Sequence, residues 1–434
     1  MSRLPITVAV LILLSGCAVA VAQPTASDAL PDLDESLTLQ ECITLALQRH
    51  PSIGLALTST VSAQANARAQ QSLRYPHLQL QWSARETKSL GADRRTGRTA
   101  AVSAEYTLYQ SGLRERIDRA EVSAESSQYS IAETRQQLTY QVTVAYWGIL
   151  AAHRYAEVAM DSVANAQRHW DMVRARIDIG VAPEADILPV NVQVAQARLD
   201  AVRADTELSV AYADMRALLG LPPQVRFRLA DTPEAREEYD ADLDSLMAIA
   251  EANRPDLASQ RLAIRAADLG VRIARAETGV KVSAGASADY GRFTGTTGES
   301  WQLQVGATYP LFDAGASEAQ RTSAEADSEA ARWRMAALMQ DMQGEVEAAH
   351  LRMSQVAASL DAAEVSLTQA RTSLAAAEAR YAEGLAIVVE VTDAQLALLQ
   401  TQVALVQAEY NYAIAAAALD RAVGTQVATT AGDD

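Results

Sequence analysis

Apolar and small residues recur at alternating steps of three and four positions in two long stretches of the chain. One stretch lies between Gly180 and Gly220 and the other between Gly384 and Gly424, so the two are offset by 204 positions (384 − 180 and 424 − 220). Such a spacing predicts a coiled-coil seam. The first seam contains Ile187, Val190, Val194, Ala197, Ala201, Ala204, Leu208, Ala211, Met215 and Leu218. The second contains Val391, Ala394, Leu398, Thr401, Leu405, Ala408, Tyr412, Ala415, Leu419 and Ala422. The chain is therefore a tandem repeat of one long-helix unit.

A longer helix is predicted before each seam. From Gly112 to Gly180 the small and apolar positions continue in steps of four and three, and the stretch from Gly315 to Gly384 behaves alike. At 1.5 Å per residue each helix would be roughly 100 Å long. The four glycines are predicted to be structural turns, because glycine adopts backbone conformations that other residues avoid.

In four shorter stretches the apolar positions alternate with polar ones, which predicts β-strands of about ten residues. The alternating positions are Leu78, Leu80, Trp82, Ala84, Val102, Ala104, Tyr106, Leu108, Val280, Val282, Ala284, Ala286, Ala288, Tyr290, Trp301, Leu303, Val305, Ala307 and Tyr309. Aromatic residues near the strand ends are typical of a membrane β-barrel that is apolar outside and polar inside. Half of a soluble β-sandwich is the alternative, but no further strands are predicted for a second sheet.

These patterns predict the following divisions of the chain. We expect a signal segment at 1–22, a polar tether at 23–38, a first repeat at 39–220, a linker or equatorial collar at 221–244, a second repeat at 245–424 and a tail at 425–434. The first repeat would hold a hairpin at about 78–109 and helices at about 113–179 and 186–219. The second would hold a hairpin at about 280–312 and helices at about 316–383 and 390–423.

The first residues predict export. Arg3 precedes a short apolar run, as in a signal peptide. The stretch Leu14-Ser-Gly-Cys17 looks like a lipoprotein cleavage site, which predicts lipidation of Cys17, while cleavage after Ala22 is the alternative. Cys42 is the only other cysteine, so a disulfide framework is excluded and Cys42 is expected to be a small core residue.

Charge and motif content exclude several classes of protein. The formal net charge of −17 argues against a nucleic-acid partner. The five histidines include no HExxH motif and no set with metal-ligand spacing, and the chain has no glycine-rich phosphate loop. We therefore expect no enzyme activity, no catalytic residue, no metal site and no cofactor.

Four strands cannot close a membrane barrel by themselves, since the smallest single-chain barrels have about eight. An open sheet edge would leave backbone groups unsatisfied in lipid, so strands must be pooled between chains. Three chains would supply twelve strands, enough for a lumen. Two chains would instead supply eight strands, whose interior would be filled by side chains. The predicted fold class is therefore mainly α with a membrane β-barrel, built from tandem repeats of long coiled-coil helices and from strands pooled between chains.

The order of several short sequence segments resembles the TolC family of outer-membrane efflux ducts, over about Leu37 to Gly424. The segments are LTLQECITLALQRHPSI from Leu37, the strand-to-helix turns at Tyr106–Gly112 and Tyr309–Gly315, GLAIVVEVTDAQ from Gly384, and AEYNY from Ala408. The resemblance implies a homotrimer with a twelve-stranded barrel that contacts outer-membrane lipid, and a periplasmic helical tunnel. It also implies two partners, a periplasmic adaptor and an inner-membrane pump. The expected function is a passive exit duct for small molecules, metal ions or proteins.

Three acidic residues are candidates for a periplasmic gate. Glu390 and Asp393 follow the turn at Gly384, and Asp186 is the repeat equivalent of Glu390 (186 + 204). The family usually has an aspartate in place of Glu390. If three copies converged at a closed tip, a like-charge pair about 6 Å apart would cost roughly 3 kcal/mol, which would attract cations and strain the closed state. The alternative is that these acids only favour the start of the last helix through its dipole.

A trimeric coiled-coil adhesin or structural fibre is the competing function. It would place the hairpins outside the membrane and would have no continuous lumen. Single-channel conductance distinguishes the two functions.

Overall fold

The computed structural model describes residues 36–87, 95–230, 241–293 and 296–425. Within these ranges the chain forms long helices and short strands in nearly the same order in both halves. The helices are α1 (Leu39–Arg49), α2 (Pro51–Ser72), α3 (Leu113–Asp178), α4 (Ile187–Leu218), α5 (Leu243–Asn253), α6 (Pro255–Ala276), α7 (Ala316–Ala382) and α8 (Val388–Val423). The strands are β1 (Ser36–Leu37), β2 (His77–Thr87), β3 (Arg95–Gln110), β4 (Arg228–Leu229), β5 (Lys281–Phe293) and β6 (Thr296–Thr308).

A proline splits the first helical segment of each repeat into a short helix and a longer one. Pro51 and Pro255 occupy the first positions of α2 and α6. The residues before them, His50 and Arg254, are extended, with ψ of 130° and 122°. Proline disfavours the helical conformation in its preceding residue but tolerates the first helical position, so the chain changes direction there.

The long helices α3 and α7 contain 66 and 67 residues and run unbroken between turns. Each begins after a glycine in the left-handed region, Gly112 (φ 79°) or Gly315 (φ 88°). Each is followed by another, Gly180 (φ 77°) or Gly384 (φ 76°). A side chain at such a φ would bring Cβ close to the following carbonyl oxygen, which explains why glycine occupies all four turns.

The predicted seams form the interior of the helical body. Val190, Val194 and Met215 of α4 are buried against α3, and Val391 of α8 is buried where the two helical pairs meet. A larger core forms where α1, α3 and the end of α4 meet, around Cys42, Ile43, Leu45, Ala46, Leu138, Val142, Tyr146, Ile149, Met215 and Leu219. Burial raises the pKa of the Cys42 thiol to about 12, so this thiol is protonated and packs as a small apolar group.

The four long strands form one antiparallel sheet in the order β2-β3-β5-β6. They contain 11 to 16 residues and are longer than the predicted length of about ten. The helices α2, α3, α6 and α7 all join the sheet at the end that contains His77 and Lys281. The opposite end of the sheet contains Thr87, Arg95, Phe293 and Thr296. None of the helices in the described part of the chain has an apolar stretch long enough to cross a membrane.

The structure corrects the sequence analysis at several segment ends. Ser36 and Leu37, placed in the polar tether, form β1 and pair in parallel with β4, which lies inside the predicted linker. The linker is also not wholly outside the helices, because Leu221 and Phe227 are buried in the α1–α3–α4 core. Cys17, the signal segment and residues 426–434 lie outside the described residues.

Candidate functional site

The sheet has one apolar and one polar face. Its register places Leu80, Val102, Ala288 and Trp301 side by side across the four strands. The next row on the same face consists of Leu78, Ala104, Ala286 and Leu303. The row between these two lies on the opposite face and consists of Gln79, Ser103, Ser287 and Gln302. Successive side chains of a strand point to opposite faces, so the alternation in the sequence becomes two chemically distinct surfaces.

No other described part of the protomer covers the apolar face of the sheet. Leu78, Trp301 and Leu303 have relative exposures of 74%, 82% and 71%. Large contiguous apolar surfaces of this kind mark contacts with a membrane or a protein, and the polar opposite face is typical of a barrel lumen.

The two outer strands, β2 and β6, each have a neighbour on one side only within the described sheet. Their outer edges present backbone N–H and C=O groups that lack strand partners. Such edges cannot face hydrocarbon, because lipid offers no hydrogen bonds. The sheet is therefore an arc that needs further strands before it can lie in a membrane.

Helices α3 and α4 form one helical hairpin, and α7 and α8 form the other. At the end far from the sheet, the turns of these two helical hairpins pack against each other. We call this end the tip. A cluster of buried residues joins α3, α4, α7 and α8 there, and its members are Val173, Val190, Tyr381, Val388 and Val391. This cluster packs the two hairpins of one protomer together at the tip.

Arg176 of α3 connects the two hairpins directly. Its Nη1 donates hydrogen bonds to the backbone oxygens of Tyr381 and Ala382, at 2.8 and 3.2 Å. Its guanidinium carbon also lies 4.7 Å from the ring centroid of Tyr381. Charge-assisted hydrogen bonds combined with a cation–π contact make this a strong link for one side chain.

The three predicted gate acids lie at the tip in different environments. Glu390 is in the first turn of α8, and its Oε2 is 3.2 Å from Nη1 of Arg380. Asp393 lies one turn further along and is exposed. Asp186 is half-buried in a short 3₁₀ turn before α4. Within the described part of the chain no group of residues is arranged to hold a metal ion.

His169 is a tip residue whose importance the sequence analysis missed. It is 1% exposed, its ring lies edge-on to Tyr381 with centroids 6.2 Å apart, and its Nδ1 is 3.4 Å from Oε1 of Gln193. Gln193 in turn donates to Gln395 of the other hairpin at 2.7 Å. Burial lowers the pKa of His169, although Gln193, Glu378 and Gln395 act in the opposite direction.

Three buried polar atoms at the tip have no hydrogen-bond partner among the described residues. They are Nε2 of His169, Nε of Arg176 and the hydroxyl of Tyr381. Buried polar groups without partners are costly, and in native proteins they often occur at sites that move. The sequence did contain one signal for this cluster: Arg176 and Arg380 are repeat equivalents (176 + 204), each four residues before a turn glycine.

A four-stranded arc with an apolar outer face, joined to helices of about 100 Å, defines this chain as a subunit of a membrane-embedded duct. The family comparison agrees. The chain belongs to the outer membrane efflux protein family, whose model matches residues 42–221 and 246–425. The two matched segments are offset by the same 204 positions as the seams (246 − 42 and 425 − 221).

Solved structures share this fold. The match to the structure of CusC covers 89% of this chain and 92% of the CusC chain, with a TM-score of 0.80 and 19% identity. The match to VceC of Vibrio cholerae has a TM-score of 0.76 and 22% identity, and it covers 89% of this chain and 96% of the VceC chain. MtrE of Neisseria gonorrhoeae is described as an outer membrane channel. The match to it has a TM-score of 0.77 and 19% identity, and it covers 90% of this chain and 91% of the MtrE chain.

Among curated proteins, Protein CyaE of Bordetella pertussis is 25% identical over 258 residues, which are 58% of this chain and 54% of that protein. The match thus spans about half the length of that relative. The predicted resemblance, the fold class, the function as an outer-membrane efflux component and the outer-membrane location are confirmed by the family and its fold. The family is one of channels rather than enzymes, and no comparison favours an adhesin fibre.

Proposed function

We propose that three copies of this chain pool their strands into a twelve-stranded barrel and their helices into a periplasmic tunnel. The sheet carries this proposal, because it exposes an apolar face while β2 and β6 keep unpaired outer edges. Pairing β6 of one copy with β2 of the next would satisfy both edges and close the barrel. The polar row around Gln79 and Gln302 would then line the lumen.

In this proposal the duct is the outer-membrane part of a tripartite export system, and its partners are a periplasmic adaptor and an inner-membrane pump. The duct itself is passive. Membership of the efflux family supports this role, and the helices provide the length needed to reach partners across the periplasm. Helices of 66 and 67 residues are far longer than the packing of a single soluble domain requires.

The barrel is tested with two arginine substitutions on neighbouring residues of β6. Leu303→Arg places a charge on the apolar face, where a charge near the bilayer midplane costs about 2–4 kcal/mol per copy. Gln302→Arg places the same charge on the polar face. We expect the Gln302→Arg protein to form a trimer by native mass spectrometry and to conduct in planar bilayers, whereas Leu303→Arg abolishes insertion. A stable wild-type monomer with full strand content would contradict the proposal.

We further propose that Asp393, Glu390 and Asp186 form the periplasmic gate when three tips converge. The structure supports unequal roles, because Arg380 partly neutralises Glu390 while Asp393 is exposed. Glu390 also lies at the N-terminus of α8, where the helix dipole favours an acid. Asp393 is therefore expected to contribute most of the negative potential that attracts cations.

The lipid anchor at Cys17 remains a separate proposal, supported by the Leu14-Ser-Gly-Cys17 sequence. A single acyl anchor would add little to a protein already held by a barrel. Intact-mass analysis of the purified protein should show a mature N-terminus at an acylated Cys17. A terminus at Gln23 without acyl mass would instead establish cleavage after Ala22.

A further inference from the structure

Two arginines interrupt the apolar face of the sheet near the end opposite the helices. Arg98 of β3 and Arg292 of β5 are direct partners in the antiparallel register. Both side chains are exposed. They share the face of Val102 and Ala288, because each lies an even number of residues away on the same strand. The pair thus lies on the outer surface of the sheet, at the end opposite the helices.

The surrounding residues show at which depth this pair lies. The next row toward the helices on the same face contains Trp82 and Tyr290, which lie on either side of Ala100. Tryptophan and tyrosine concentrate at the boundary between hydrocarbon and headgroups. Arginines one row beyond that boundary lie at the level of the headgroups, where a cation is readily solvated by anions.

The pair is also electrostatically incomplete. Directly paired residues on neighbouring strands have Cα atoms about 4.5–5.5 Å apart, so two like charges there repel each other. The flanking residues of the same row are Ala84 and Thr297, which carry no charge. The acids on this face lie in the adjoining rows, Glu299 of β6 in the Tyr290 row and Glu86 of β2 in the row beyond the pair. Within the described ranges neither acid forms an ion pair with Arg98 or Arg292. An external anion would relieve the repulsion.

We propose that Arg98 and Arg292 bind a phosphate group of an outer-leaflet glycolipid. Each guanidinium can donate two parallel hydrogen bonds to phosphate oxygens, and two guanidinium groups match the charge of a phosphate monoester dianion. The lipid's acyl chains would lie against the apolar rows below, from Leu80 to Trp301. The inference rests on the proposed barrel, with the end of the sheet opposite the helices facing the outside of the cell, and predicts three equivalent sites around a trimer.

The test is native mass spectrometry of the detergent-solubilised trimer incubated with diphosphoryl lipid A, with dephosphorylated lipid A, or with phosphatidylethanolamine. We expect up to three bound molecules of diphosphoryl lipid A per trimer and much less of the other two lipids. Arg98→Gln combined with Arg292→Gln should weaken lipid A binding by about tenfold or more, since several charge-assisted hydrogen bonds are lost.

Arg85→Gln is the matched control. Arg85 is exposed at nearly the same height, but it pairs with Gly97 and points to the polar face. Its substitution should leave lipid binding unchanged. Equal retention of lipid A by the double variant, or equal binding of all three lipids by the wild type, would overturn the inference. Displacement of lipid A by millimolar inorganic phosphate would show a simple anion site and would also overturn it.

Bilayer conductance separates this inference from the proposed duct. A double variant that forms conducting trimers and has lost lipid A binding supports both. A double variant that conducts and keeps lipid A binding refutes the lipid site alone. If the double variant does not assemble, the preference of the wild type for phosphorylated over dephosphorylated lipid A still decides the question.

Discussion

Equivalent arginines in the two helical hairpins have different partners. Arg176 and Arg380 each stand four residues before the turn glycine of their hairpin. Arg176 crosses to the other hairpin and donates to the backbone oxygen of Tyr381 at 2.8 Å. Arg380 stays within its own hairpin, with its Nη1 3.2 Å from Glu390. One position of the repeat therefore joins two hairpins in the first copy and only pairs locally in the second.

The residues around each arginine explain the difference. The repeat equivalent of Tyr381 is Ile177, which offers Arg380 no aromatic ring. The equivalent of Glu390 is Asp186, which lies in a 3₁₀ turn before α4 rather than inside a helix. These differences make the two turns unequal. The contact between the two hairpins at the tip is made by Arg176 and not by its equivalent Arg380.

Replacement of Arg176 tests this inequality and should have the largest effect. Arg176→Gln removes two hydrogen bonds from a charged donor and a cation–π contact, which together should cost about 2–3 kcal/mol of tip packing. Arg380→Gln should cost less than about 1 kcal/mol, because that ion pair is largely exposed. Bilayer recordings should show more frequent opening for Arg176→Gln than for Arg380→Gln. Equal opening in the two variants would mean that the hairpins are not held as described.

The turn glycines should behave alike, in contrast to the arginines. Gly180 and Gly384 have φ of 77° and 76°, so an added Cβ is strained equally at both. Gly180→Ala and Gly384→Ala should each destabilise the protein by about 1–2 kcal/mol in thermal unfolding. A clearly larger loss at Gly384 would point to its neighbour Arg176, whose Nη2 would be 3.7 Å from the new Cβ.

Substitution of the two acids of the second turn should change conductance rather than stability. Asp393→Asn should weaken block by divalent or trivalent cations more than Glu390→Gln, because Arg380 already compensates Glu390. The double variant should lose most of the block and keep its trimeric state. Bilayer conductance with and without added cations measures this. An unchanged block together with a lower melting temperature would show that both acids act only through the helix dipole.

The pH dependence of the tip should be the smallest effect. The folded protein keeps His169 neutral below its ordinary pKa of 6.5, where the unfolded chain binds a proton. Stability of the tip should therefore fall as the pH drops through about 6.5 and level off below the lowered pKa. Glu378 is the charged group that acts on His169, and it opposes the lowering of the pKa.

Hydrogen exchange of the segments around Val173 and Val391 at pH 7.5 and 5.5 measures this change. His169→Gln should remove the pH dependence, since glutamine can still bond to Gln193 but does not titrate in this range. If the variant keeps the same difference between the two pH values, another group is responsible.

Much of the fold could be predicted because its signals are local and periodic. Val190 and Val391 lie on seams that are visible as three-four spacing, and Leu80 and Trp301 lie on strands that are visible as alternation. Gly180 and Gly384 mark turns because glycine readily adopts positive φ angles. The ends of some segments were predicted wrongly, because the pairing of β1 with β4 joins residues that are far apart in the chain.

The contacts at the tip and in the arginine pair could not be predicted from the periodicity of the sequence. Periodicity places His169 beside the seam, but only packing against Tyr381 shows that the ring is buried with an unpartnered nitrogen. Likewise, Arg98 and Arg292 are about 200 residues apart in the sequence, and only the register of β3 with β5 makes them neighbours.

The amino-acid sequence by itself determined the repeat, the long helices, the strands and the family, because each depends on spacing within one segment. The tertiary structure alone decided which equivalent arginine joins the hairpins and which cationic residues meet on the outer face. Those contacts depend on how the α3–α4 hairpin packs against the α7–α8 hairpin at the tip and on which residues of two distant strands pair. A shift of one residue between β3 and β5 would separate Arg98 from Arg292 and leave the periodicity of each strand unchanged.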